Sequence, residues 1–220
     1  MRHLAKPKVV KSAAIAAAAS AALSLPRMLL WEQRPFPVWY TEAMIFLGGF
    51  VLWAFVFAWH TEYTRRPVFT LKINARIAAA ATLAGIAAAL SLYWLLDPSL
   101  RARSPQDYPL DLAQWFATVL FALGFTQLFL VFAPFAWSVR LLRNKQAAIV
   151  LTLALSVAVL ILKTNSSPTP LPFGVFLELL VVRVVFGYFG LWFYLRGGIL
   201  LVTWLGFLIE ARHLLSLLGH

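Results

Sequence analysis

Five ionisable side chains, Glu178, Arg183, Glu210, Arg212 and His213, fall within the last apolar stretches of a chain that is 62% hydrophobic. A charged group at mid-membrane costs roughly 2.5–3.5 kcal/mol on insertion scales, so each needs a partner or a task. A carboxylate beside an imidazole can activate water as a general base. A carboxylate opposite a guanidinium can form a two-pronged ion pair. The connector "RGG", Arg196 to Gly198, is so short that the segments on either side must form an antiparallel hairpin. Residues equidistant from that turn then share a depth, and Arg183 and Glu210 each stand about 13 residues, or roughly 20 Å, from it. The same register brings Glu178 within about one turn of Arg212 and His213. This predicts a structural ion-pair cluster of Arg183, Glu210, Glu178 and Arg212, with Arg183–Glu210 as its sharpest pair. Two other readings stay open. Glu178, Glu210 and His213 could form a catalytic site for peptide cleavage, or Arg212 and His213 could snorkel to the headgroups with Glu210 solvated beside them.

Positioning these residues requires helices that cross about 30 Å of hydrocarbon, or roughly 20 residues each. Seven stretches qualify: 12–31, 41–59, 75–96, 112–137, 146–162, 173–195 and 198–218. The expected fold is therefore all-α, a polytopic transmembrane bundle of about seven spans forming a single integral membrane domain. With 12% charged residues and a mean hydropathy of +0.81, the chain carries about half the charge of a soluble domain. Trp31, Trp39, Tyr40, Trp59, Tyr63, Tyr93, Trp94 and Trp137 fall near the ends of these spans, where such rings favour the headgroup level. Pro26 and Arg27 interrupt the first span and predict a kink there. The basic start followed by an Ala-rich core reads as a signal anchor that becomes the first helix.

The net charge of +11 would suggest nucleic acid in a soluble protein. Here the basic residues lie between apolar runs, so they point to topology and lipid headgroups, not nucleic acid. The larger set comprises Arg2, Lys6, Lys8 and Lys11, then Arg65, Arg66, Lys72 and Arg76, then Arg140, Arg143, Lys145 and Arg196. The smaller set is Arg27, Arg34, Arg101, Arg103, Lys163 and Arg212. The bias places the basic N-terminal segment, residues 1–11, in the cytoplasm and residues 95–111 outside. The expected location is a bacterial-type inner membrane. The Ala-rich first and third spans are expected to pack closely against each other or a neighbour, because small residues let backbones approach. The Phe-rich second and fourth spans are expected to face lipid or a partner protein.

No Cys is present, so disulfides and thiolate chemistry are excluded. Neither HExxH, a GxSG-type serine motif nor a phosphate-binding glycine loop occurs. His60, at the end of "FAWH", reads as an interfacial residue that could ligate a metal or a chlorophyll magnesium. No cofactor is required by the sequence. Thr126 and Gln127 can hydrogen-bond a neighbouring helix, and Pro134 should kink the fourth span.

The second half carries a basic turn, "VRLLRNKQAAIVLTLAL", and then "LPFGVFLELLVVRVVFGYFGLWFYLRGGILLVTWLGFLIEARHLL". Over residues 112–218 this order of features resembles the CPBP family, the CAAX-protease and bacteriocin-processing membrane proteins. Active members of that family use a Glu-Glu-x-x-x-Arg motif, a His on the next helix and a further His motif on a last helix to cleave peptides within the membrane. Here Thr126 and Gln127 stand at the paired carboxylates and Val131 at the Arg. The next helix has no His, and Ile209 and His213 stand at the last motif. The resemblance implies a member without catalytic machinery: a pseudoenzyme serving as a scaffold or accessory subunit of a larger membrane complex. Its partners would be membrane lipids and other membrane-protein subunits. An intramembrane endopeptidase and a small-molecule or lipid transporter are the alternatives. A transporter requires a cavity that reaches Arg183.

Overall fold

The computed structural model describes residues 4–30, 36–165 and 171–218. Trp31, Arg34, Arg2 and part of the Pro- and Ser-rich connector after Lys163 lie outside them. Among the described residues the protein is helical throughout. Six helices are long and apolar enough to cross a membrane: α1 Pro7–Leu30, α2 Val38–Thr64, α3 Ala75–Arg103, α4 Leu112–Leu142, α5 Lys145–Asn165 and α6 Phe173–Leu218. The last of these contains both the sixth and the seventh expected spans. It is broken at Gly198, whose φ of 76° and ψ of −168° are not helical.

Local chemistry sets the helix ends. Asn74, Asp111 and Asn144 cap α3, α4 and α5 by accepting backbone N–H bonds from Arg76, Gln114 and Gln146, answering donors the first turn leaves open. Pro37 and Pro172 immediately precede α2 and α6. Left-handed Arg65 and Arg143 close α2 and α4. Helix α1 runs through Pro26 without interruption.

The centre of the bundle is α4, which touches α1, α2, α5 and α6. Half of its apolar window is buried, more than in any other span. Its Phe132 and Phe135 pack on Tyr194 of α6. The Phe-rich fourth span therefore fills the core, and only part of it, such as Phe116 and Phe129, faces outward. The Ala-rich spans pack against different neighbours, not against each other. Ala13, Ala17, Ser20 and Ser24 of α1 recur on one face, which meets α2 and α4. Gly124 of α4 admits this approach, since a Cβ there would stand 2.9 Å from the Leu23 Cβ. Ala81, Gly85 and Ala88 of α3 form the corresponding face toward α6.

Hydrocarbon offers no hydrogen-bond partners, so polar side chains must pair internally. Three indoles do this across helices. Trp53 donates to Ser20 Oγ at 3.0 Å, Trp204 to Thr82 Oγ1 at 2.9 Å and Trp115 to the Glu210 carbonyl at 3.1 Å. They tie α2 to α1, α6 to α3 and α4 to α6.

Gly198 packs beneath the α2–α3 connection, near Thr70 and the Val68 carbonyl. Its backbone region is essentially reserved for glycine and costs another residue about 1–3 kcal/mol. Gly198→Ala should therefore lower the melting temperature of the detergent-solubilised protein. Gly48→Ala, on an open helical position, should leave it unchanged or raise it. Equal melting temperatures for both variants would show that the turn is not strained.

Candidate functional site

The broken helix α6 folds back so that both halves line one cavity of about 310 Å³. Arg183, Gly187 and Gly190 come from its first half, and Val202, Gly206, Ile209, Glu210 and Arg212 from its second. Thr126 and Gln127 of α4, Thr152 and Ser156 of α5, and Asp97 of α3 complete the polar part of the wall, and Val131 of α4 also lines it. Three π-helical stretches, Leu92–Leu96, Ala122–Thr126 and Leu128–Phe132, border this region. Such widened turns often occur where side chains are re-aimed at functional sites.

At one end of the cavity is a closed polar knot. Arg212 donates from Nε to Asp97 Oδ2 at 3.0 Å and from Nη1 to the Ile209 carbonyl at 2.9 Å. Tyr108 donates its hydroxyl to the other Asp97 oxygen at 3.0 Å. Glu210 Oε2 stands 3.5 Å from His213 Nε2 and 3.8 Å from Arg212 Nη1. The Tyr108 ring meets His213 edge-on, and Arg101 lies over its face. Arg27 of α1 approaches over Phe121. The side chains of Arg212 and Asp97 are only 13% and 7% exposed, so their pairing is made largely out of water. Burial and the neighbouring Asp97 carboxylate push the Tyr108 phenol above its ordinary value. Its hydroxyl therefore stays a donor at neutral pH. The stability it contributes is full below about pH 10 and is lost only as the pH rises through the raised value.

The sequence-predicted residues separate into two groups. Glu210, Arg212 and His213 join the knot, and His213 is buried rather than snorkelling. The expected Arg183–Glu210 pair is not made. Both residues line the same cavity, as their equal depth requires, but Glu210 turns to Arg212 and His213. Arg183 has no ion-pair partner among the described residues, and its Nε is buried without a hydrogen bond. Glu178 faces outward, away from the knot. His60 is buried against Tyr194, whose hydroxyl meets its Nδ1. Among the described residues no three His, Cys, Asp or Glu side chains converge as a metal site.

Asp97 and Tyr108 did not stand out in sequence. Both fell in what read as an external loop. The available signal was the position of Asp97 at the edge of an apolar run, in "LLDP".

Thr126, Gln127, Val131 and Ile209, which stand at motif positions of the resemblance described above, all line the cavity. No family model, no curated protein and no solved structure matches the chain.

Removing one partner of a buried ion pair costs about 3–5 kcal/mol, because the other charge is left bare. Asp97→Ala should therefore destabilise severely, and Tyr108→Phe should cost about 1 kcal/mol. An Asp97→Leu, Arg212→Met double variant should recover much of the loss. Thermal unfolding in detergent reads all three, and additive losses in the double variant would show that the pair is not coupled.

Proposed function

We propose that the chain is a non-catalytic multi-pass membrane protein, a scaffold or accessory subunit of a membrane assembly in a bacterial-type inner membrane. The observation that carries this reading is that the carboxylates near the cavity are already engaged. Asp97 is held by Arg212 and Tyr108, and Glu210 by Arg212 and His213. Glu178, the other acid of the peptidase reading, is exposed and apart from them. General-base catalysis needs a carboxylate or imidazole within reach of a water and free to take its proton. The cluster reads as structural cement, and the CPBP-like framework is a pseudoenzyme on this account.

A second feature supports a partner-binding role. A groove of about 360 Å³ between α2, α4 and α5 is lined by Leu52, Phe55, Phe129, Pro134 and Trp137. Aromatic side chains of a neighbouring helix would fill such a groove by dispersion contacts, the main attraction available between helices in lipid. The orientation proposed from loop charge is N-terminus cytoplasmic, with the second and sixth connections, which meet at Gly198, Thr70 and Val68, both in the more basic set. Transport of a small molecule or lipid is a second reading, favoured by the cavity that reaches Arg183.

Purification from the host's own membranes in mild detergent, with quantitative mass spectrometry, tests the scaffold reading. Membrane subunits at fixed stoichiometry, lost when Phe129 and Trp137 are changed to Ala, are the expected result. A chain that purifies alone from every detergent tried would overturn it. The Glu210→Gln variant should leave processing of membrane peptides unchanged, and loss of a cleavage event would favour the peptidase instead.

A further inference from the structure

Arg183 lines the cavity with no ion-pair partner among the described residues. The acids and bases of the knot, Asp97, Glu210, Arg212 and His213, contact one another, whereas Arg183 meets no acid among the described residues. Four neutral polar side chains share its cavity, Thr126, Gln127, Thr152 and Ser156, and of these only Thr152 makes a side-chain hydrogen bond among the described residues. Much of the remaining wall is Leu, Val, Ile and Phe. A guanidinium inside a hydrocarbon-surrounded bundle is retained only where something compensates it. Its natural complement is a carboxylate or phosphate oxygen pair.

We propose that this cavity is a binding site for an anionic amphiphile, with a carboxylate or phosphate head on Arg183 and an apolar chain along α5 and α6. Thr126 and Gln127, on the wall of the same cavity, supply neutral hydrogen-bond capacity. At about 310 Å³ the cavity lies at the small end of ligand sites, roughly 300–1,000 Å³, which gives room for a head and one chain. Asp97 and Glu210 already engage Arg212, Tyr108 and His213, so Arg183 is the cation of the cavity wall left for the head. The site goes beyond the scaffold role and stands whether or not partner subunits bind elsewhere.

Gly190 provides a test that does not disturb the charge. It is buried, lines the cavity, and a Cβ there meets nothing within 4 Å. Gly190→Leu therefore fills the space while favouring the helix. The full-length protein in a nonionic maltoside is titrated with radiolabelled oleate, and with oleyl alcohol as an uncharged control. Saturable binding of one oleate per chain is expected, with no such binding of the alcohol. Arg183→Gln should weaken oleate binding about tenfold or more, the loss expected when a charge-assisted pair is removed. Gly190→Leu should abolish it, with the melting temperature retained.

Competition separates the two sources of such a head. Displacement by phosphatidylglycerol but not phosphatidylcholine assigns the site to anionic bilayer lipid. Displacement by free fatty acids alone assigns it to a single-chain acid. Either result supports the proposal. Absence of saturable oleate binding, equal binding of the alcohol, or Arg183→Gln affinity equal to that of the parent chain overturns it, even where partner subunits still co-purify.

Discussion

A carboxylate at the edge of hydrocarbon is tolerated only if its oxygens are answered by the protein. Asp97 meets that condition with two donors from distant parts of the chain, Arg212 Nε and the Tyr108 hydroxyl. Much of the architecture at this end follows from it. The pair fixes the end of α3 against the end of α6, and Tyr108 draws the connector to α4 over both. Trp115, one turn into α4, then reaches the Glu210 carbonyl. Four segments are thus anchored around one acid, and the second half of α6 is held in the phase that turns Glu210 away from Arg183. Buried ion pairs gain little stability over a well-packed apolar replacement, but they penalise misregister strongly. Here the misregister avoided is a sliding of α6 against α3, two helices that also meet through Trp204 and Thr82.

The contrast between two sets of polar groups gives the molecule its chemical character. The knot pairs its charges inside the chain and leaves His213 Nδ1 unbonded. The cavity wall also presents a guanidinium, an amide and a hydroxyl among aliphatic side chains. A paired cluster positions helices, and an unpaired set selects what lies beside it. Both draw residues from one hairpin, Arg183 from its first half and Glu210, Arg212 and His213 from its second, so the geometry of recognition is set by the geometry of folding.

Hydropathy exposed the membrane helices because about 20 apolar residues are needed to cross a bilayer and few other folds need such runs. The hairpin turn at Gly198 and the approach of Arg183 and Glu210 to one cavity were equally legible, since a helix rises a fixed 1.5 Å per residue. Rotation about the helix axis was not. Depth places two residues at one level, but only packing decides whether they face each other, and the uniform apolarity of α6 left no polar stripe to reveal its phase. The Tyr194 partner of His60 was not legible, because the two residues lie 134 positions apart and only packing brings them together. Asp97 went unnoticed because a loop acid and a helix-end acid look alike until the partner is known.

The paired π-helical stretches of α4 carry a consequence of a different kind. Each widened turn accommodates one residue more than an α-turn, so everything beyond it is rotated relative to a regular helix. Two in succession, Ala122–Thr126 and Leu128–Phe132, make the central helix a place where the chain holds surplus length. Loss of a single residue there can be absorbed by a return to regular winding, whereas the same loss in α2 would rotate every side chain downstream. Descendants of this sequence could therefore change chain length at the middle of their most buried helix, while their loops stayed fixed.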